Sequence, residues 1–247
     1  MEPGFYNMDC MEAMKQFSDG FFDLAIVDPP YGDPAEKIGG GDGSGDCSTA
    51  TRWNRFGQRF DRYKIHGGGT VSRTGGTWAE KYGKKIIAWD VAPGDDYFKE
   101  LFRVSHNQII WGGNYFSLPP TRCFVVWRKL TISEHFSMAM AEYGWTSFNS
   151  NAKVFECAPQ GTANEVRFHP TQKPLRLYQW LLKNFAHKGD KILDTHAGSA
   201  SSLIACHRAG LQYWGFEIDP VYYEKAKARL DNEMAQVNIM DILNREG

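Results

Sequence analysis

The sequence has no apolar run approaching the ~20 residues that a bilayer-crossing helix needs, so a helical membrane protein is not expected. Its first residues, MEPGFYNMDC, lack a basic stretch followed by an apolar one, and no secretory signal is read there. The five cysteines (10, 47, 123, 157 and 206) include no C-x-x-C pair. Their odd number and scatter argue for reduced thiols in the cytoplasm, against both a disulfide framework and a zinc site. There is no H-E-x-x-H, no Walker loop and no clustered His/Cys, so no metal is expected. No G-x-G-x-x-G turn is present either, which weakens any case for a dinucleotide.

What is present describes an ordinary globule: 247 residues, 42% hydrophobic and 23% charged, enough for one large domain with an insertion. Its net charge of −1 conceals an asymmetry. Residues 1–50 hold two Lys/Arg against ten Asp/Glu, whereas residues 51–85 hold nine against two. A basic block inside a neutral chain fits one anionic partner, although a solvated loop would look the same.

Short β-branched runs at 23–28, 84–90, 107–116 and 123–129 read as buried strands, and 135–148 as a strand or a bent pair. DDYFKELFRV (95–104) has an acidic start and one apolar face, the pattern of a helix. After Pro174 a second helix runs to a stop at Gly189. A strand at 191–195, a tight turn at 196–200, a helix to Gly210, a strand at 212–219 and a last helix at about 221–236 complete the chain. This alternation argues for a parallel-type α/β sheet. Residues 33–85 break it, being rich in glycine and without apolar periodicity, and read as an insertion that is either functional or disordered.

The stretch ILDTHAGSA followed by YWGFEID is a strand, a turn, a helix start and a second strand ending in an acid. Gly198 and the helix-terminal N–H groups would face a ligand, and Glu217 lies where an acid accepts both hydroxyls of a ribose. With a single glycine in the turn, a nucleoside without phosphates fits better than a pyrophosphate, and S-adenosyl-methionine is the common one. Asp9, after a short first strand, has two compatible readings: acceptor for the adenine amine of that cofactor, and N-cap of the next helix.

AIVDPPYG (25–32) ends a buried strand on two prolines, flanked by Asp28 and Tyr31. Methylating an exocyclic base nitrogen requires its delocalised lone pair to be localised, and acceptors on its two N–H bonds achieve this. Asp28 offers a carboxylate and Pro29 a carbonyl whose direction the prolines fix. Tyr31 offers a ring for the base, which must leave the duplex to reach it. A rigid turn with a capping acid is the plainer reading of the same residues.

Taken together, DPPYG, ILDTHAGSA and HPTQKP (169–174) make the chain resemble the amino-group DNA methyltransferases, in the permuted β-type order with the catalytic motif first. The resemblance implies a Rossmann-like class I methyltransferase fold, a mostly parallel seven-stranded sheet. It implies Asp28, Pro29, Pro30 and Tyr31 as catalytic residues and S-adenosyl-methionine as cofactor. Asp194, His196, Gly198, Ser199 and Ala200 would form the cofactor loop, Glu217 would hold the ribose, and Thr171, Gln172 and Lys173 would lie at the methionine end. His196 stands where phenylalanine is usual and Ala200 where a second glycine is usual; the alanine is harmless to cofactor affinity if its φ is negative. Within the family an acid before P-P-Y goes mostly with adenine N6, so a DNA adenine methyltransferase of the restriction-modification type is expected. Cytosine N4 is the alternative target, and a catalytically silent DNA-binding protein the alternative class. Cytosine C5 is set aside because no Pro-Cys pair supplies the nucleophile.

Double-stranded DNA is the expected partner, and the possibility of a homodimer stays open. TRWNRFGQRFDRYK (51–64) interleaves Arg52, Arg55, Arg59 and Arg62 with Trp53, Phe56, Phe60 and Tyr63 at helical spacing. Guanidinium groups suit phosphates and guanine edges, while aromatics suit the gap left by a flipped base. A second, short recognition segment is expected at 145–168. HGGGT (66–70) would suit an oxyanion loop, but the G-x-S-x-G nucleophile turn that must accompany it is missing.

Overall fold

A computed structural model of the chain describes residues 1–31, 91–132, 139–160, 167–169 and 171–245, the last nine by backbone alone, and the backbone of 52–53 and 59–60. The chain divides into two units, Met1–Tyr31 with Ala92–Gly247, and Gly32–Val91.

The larger unit grows from β2, Phe22–Val27, whose run FDLAIV is buried almost throughout. Successive side chains of a strand point to opposite faces, so a strand apolar at all positions but Asp23 needs cover on both sides. Leu24 and Ile26 join the core beneath α3 (Leu175–Phe185), α4 (Ser201–Arg208) and α5 (Pro220–Arg245). Ala25 and Val27 join the core beneath α1 (Cys10–Met14) and α2 (Asp95–Val104). The result is a sheet between two helical layers.

The remaining strands of this sheet are β1 (Gly4–Asn7), β5 (Ser105–Trp111), β6 (Phe124–Lys129), β7 (Ala141–Thr146), β8 (Lys153–Cys157), β9 (Lys191–Asp194) and β10 (Gln212–Glu217). Their order is β1-β10-β9-β2-β5-β7-β6-β8, and only the pairings of β7 are antiparallel. The mostly parallel α/β sheet is as expected, with eight strands instead of seven. The added strand is β8, parallel to β6 at the sheet edge, within the segment read from sequence as a recognition loop. Lys153, Phe155 and Cys157 alternate with the more exposed Val154 and Glu156, the period of a half-covered edge strand. The 107–116 run stops early, at Trp111, because Gly112 turns left-handed there.

The smaller unit shows β3 (Arg52–Trp53) paired antiparallel with β4 (Arg59–Phe60). This corrects the helical reading of 51–64. Arginine–aromatic pairs recur there at a spacing that also suits a hairpin, and Gly57 between them disfavours helix by about 1 kcal/mol. Arg55, Phe56, Arg62 and Tyr63, the strand read at 84–90 and residues 161–166 lie outside the described residues. No helix among the described residues is long and apolar enough to cross a membrane.

Candidate active site

The chain leaves β2 toward β5 on one side and runs from β9 to β10 on the other, and β2 and β9 are neighbours. A crevice at the carboxyl ends of the strands, where the order reverses, is the ligand-binding place of such sheets. The two motifs singled out from sequence end these two strands.

On the β2 side, Asp28 is bound twice. Its Oδ1 accepts a hydrogen bond from the Tyr31 hydroxyl at 2.7 Å, and its Oδ2 pairs with the ammonium of Lys173. Tyr31 stacks on Tyr115, with ring centroids 4.8 Å apart and planes 20° from parallel, and meets Phe116 edge-on. Gly112 makes this packing possible: φ is +65°, and a methyl there would lie 2.1 Å from the Tyr31 ring. Burial, then the charge of Asp28, pushes the Tyr31 hydroxyl far up, so it acts as a donor.

Lys173 lies between carboxylates. Besides Asp28 it faces Glu142 Oε2 at 3.3 Å, and its Nζ lies 5.4 Å from the centre of the Trp111 ring. Glu142 in turn pairs with Lys129 at 2.6 Å. Sequence reading placed Lys173 at the cofactor's methionine end; the structure places its ammonium against Asp28. Glu142 and Lys129 were missed. Their signal was charge near one end of each strand, Arg128 and Lys129 closing β6 and Glu142 opening β7, which sequence alone does not pair.

On the β9 side, Asp194 is fully enclosed. It accepts from the Ser202 hydroxyl and, at 3.0 Å, from the His196 N–H. Burial pushes this acid up to about 7, against the pull of those donors. Thr195 bonds both the Tyr97 hydroxyl at 2.6 Å and His196 Nδ1 at 2.9 Å. Burial lowers His196 to about 4, so the ring is neutral at neutral pH. The turn closes through Ala197 N–H to the Phe216 carbonyl and Ala200 N–H to the Ala197 carbonyl. Ser199, buried, is tied to Ser201, and its carbonyl accepts from Arg229 of α5. Ala200 has φ +58°, unlike the negative value under which an alanine there is harmless, and it is 0% exposed within the core.

Glu217 ends β10 with each carboxylate oxygen accepting one backbone N–H, from Gly198 at 3.0 Å and from Asp219 at 2.9 Å. Gly198, at φ +51°, packs its bare Cα toward the ring of His169. Asp9 caps α1 through Oδ1, which accepts from Met11 and Glu12, and the register Asn7 to Glu217 sets it at the same sheet edge. Gln172 is buried and braces its own loop by accepting from the Phe168 N–H, and Thr171 bonds the ring of His169. Acids thus end three adjacent strands, at Asp9, Glu217 and Asp194, while the turn 194–200 carries no lysine or arginine. Such a set fits a ligand with amines and a diol, and does not fit a pyrophosphate.

Comparison with known proteins identifies the family. The family model for DNA methylases of the N6/N4 type matches residues 77–228, more than half of the chain, and the chain belongs to this family. A putative methylase, YubD of Escherichia coli K12, is 38% identical over 64 residues, 26% of this chain and 28% of the relative. The type II methyltransferase M.HpaI of Haemophilus parainfluenzae is 36% identical over 73 residues, 30% of this chain and 23% of the relative. The chain thus matches under a third of either protein's length. M2.MboI of Moraxella bovis, also a type II methyltransferase, is 22% identical over 91% of this chain and 86% of its own. Among solved structures, M1.HpyAVI bound to SAM aligns over 91% of this chain and 98% of its own, with TM-score 0.52 and 15% identity. The cytosine-N4-specific PvuII DNA methyltransferase aligns over 99% and 92%, with TM-score 0.53 and 13% identity. These two share the fold.

Proposed function

We propose that the protein moves a methyl group from S-adenosyl-methionine to the exocyclic amine of a base in double-stranded DNA, adenine N6 being the target. The adjacency of β2 and β9, which brings Asp28–Tyr31 and the Asp194–Ala200 turn to one crevice, carries this reading. The cofactor supplies an electrophilic methyl on a sulfonium sulfur, which departs as a neutral thioether once a nitrogen lone pair takes the carbon. Asp194 receives its ammonium, Glu217 its ribose hydroxyls and Asp9 its adenine amine. Asp28 and the Pro29 carbonyl accept the two N–H bonds of the target amine, so its lone pair is localised and aimed before reaction. The methylated nitrogen then gives up one N–H proton to solvent water. Tyr31, braced by Tyr115, supports the base after it has left the helix. The basic segment with Arg52, Trp53, Arg55, Phe56, Arg59 and Arg62 supplies the phosphate contacts. Asp before P-P-Y supports adenine over cytosine, and the type II relatives support a restriction-modification setting.

The test is tritiated methyl transfer to unmethylated bacterial DNA, followed by nucleoside chromatography. Label is expected in N6-methyladenine, with a ~10²–10³-fold loss of kcat in Asp28→Ala, the scale seen when a preorganised hydrogen-bonding group at a reaction centre is removed. Label in N4-methylcytosine would keep the mechanism and overturn the choice of base. Absence of label in a wild-type protein that binds the cofactor would overturn the reading.

A further inference from the structure

Four charged groups form one chain of alternating sign, its two lysines buried and its two carboxylates partly buried: Lys129, Glu142, Lys173 and Asp28. They come from the end of β6, the start of β7, the loop before α3 and the end of β2, so four separate segments converge on one carboxylate. The side chain of Lys173 is 4% exposed and that of Lys129 7%. Burial alone would push Glu142 up and Lys173 down, and in each case the charged neighbours outweigh it. Buried ion pairs of this kind seldom add stability over well-packed hydrocarbon. Their presence at the mouth of the crevice therefore calls for a reason other than folding.

We propose that Lys173, backed by Glu142 and Lys129, is a positioning residue that holds the Asp28 carboxylate for the target amine. The inference rests on Asp28 being that amine's acceptor. An ammonium has three donors and no acceptor; one is on Asp28 and one faces Glu142, while the Trp111 ring confines the cation. Together with the Tyr31 hydroxyl, this fixes both oxygens of Asp28 and leaves each a further lone pair for an N–H bond. Facing the Lys173 ammonium and the Tyr31 hydroxyl, the carboxylate is held as a hydrogen-bond acceptor for the target amine. Lys173 acts on chemistry through Asp28, and cofactor affinity does not depend on it.

Steady-state kinetics of the full chain separate these roles. Lys173→Met is expected to lower kcat by about 100-fold or more, the scale of a lost preorganised charge, with the Kd for S-adenosyl-methionine within about 3-fold of wild type. Lys173→Arg is expected to recover part of the rate. Glu142→Gln keeps shape and volume, and serves if Lys173→Met melts early; it is expected to cost about 10-fold in kcat with the same unchanged Kd. Wild-type kcat in both Lys173→Met and Glu142→Gln, or a loss confined to cofactor binding, overturns the inference. A wild-type protein that transfers no methyl group to DNA overturns the underlying function instead.

Discussion

The two turns of the crevice solve the same problem with different chemistry. Each ends a central parallel strand on an aspartate, Asp28 or Asp194, and a left-handed residue at nearly the same angles packs against the first, from the end of β5, and lies within the second. Gly112 has φ 65° and ψ 22°, and Ala200 has φ 58° and ψ 23°. On the β2 side the carboxylate is met by a buried lysine and a phenol, and aromatic rings crowd the backbone so closely that no side chain fits at 112. On the β9 side the carboxylate is met by neutral donors only, beside an imidazole that burial keeps neutral, and the left-handed position bears a methyl. One side is set by charge and contact, the other by neutral hydrogen bonds. A fixed charge array suits an acceptor that must not move. A set of neutral donors suits a pocket whose ligand brings its own charge.

The largest effect is expected where contact dominates. Gly112→Ala combines a left-handed alanine, about 1–2 kcal/mol, with a methyl driven into the Tyr31 ring, about 1–3 kcal/mol by analogy with overpacked cores. A stability loss of about 2–5 kcal/mol is expected by denaturant titration. A fall in kcat should accompany it, because the displaced ring withdraws its hydroxyl from Asp28. The Kd for S-adenosyl-methionine should hold, since the β9 turn is untouched. A loss of cofactor affinity equal to the loss of kcat would dissolve the distinction between the two sides.

That division was only half legible in the sequence. Asp28–Tyr31 and Asp194–Ala200 could be read because each is a contiguous turn whose residue types fix its own geometry. The partners of Asp28 could not, since Lys173 is 145 positions away and its contact exists only once β2 and the loop before α3 meet. Glu142 left a faint trace, an acid in AEYGWT, yet nothing local says which strand lies beside it. The arginine–aromatic segment misled for a related reason: three- and four-residue spacings fit a helix, and the β3–β4 pairing is decided by partners that spacing does not reveal. The left-handed angle of Ala200 left only one trace, an alanine where a glycine is usual, and an alanine does not by itself announce a positive φ.

A smaller effect tests the neutral character of the β9 side. Burial lowers His196 to about 4 and His169, by burial and by the charge of Lys173, also to about 4. Unfolded histidine titrates near 6.5. Between about pH 4 and 6.5 the unfolded chain therefore binds protons that the folded chain does not, and stability rises with pH across that window. Asp194 works the other way: its folded value of about 7 exceeds its unfolded 3.8, so its contribution falls as pH rises between them. Comparing His196→Phe with wild type isolates one histidine, because Asp194 and its backbone donor remain in both. The melting temperature of the variant is expected to depend less steeply on pH from 4 to 6.5. An unchanged slope would mean that His196 charges freely in the folded protein and that the turn is not a neutral one.

The smallest effect is expected at the left-handed alanine, and it is the mirror of the largest. Ala200→Gly relieves about 1–2 kcal/mol of backbone strain. It also removes a buried methyl, about 0.8 kcal/mol, and adds unfolded-state freedom of about 0.4–1 kcal/mol. These cancel to within about 1 kcal/mol, so the melting curve should barely move. The methyl is 0% exposed and packed in the core beside Leu203 and Ile204, which keeps it out of the ligand's path. The Kd for S-adenosyl-methionine is therefore expected within about 2-fold of wild type, despite the positive φ. A tenfold tightening would show that the strain is released when the ligand binds, and that the β9 turn, like the β2 side, is governed by contact. With stability and affinity both unmoved, the contrast holds: left-handed backbone by itself is tolerated, and only where a ring closes over it, as at Gly112, does it demand glycine.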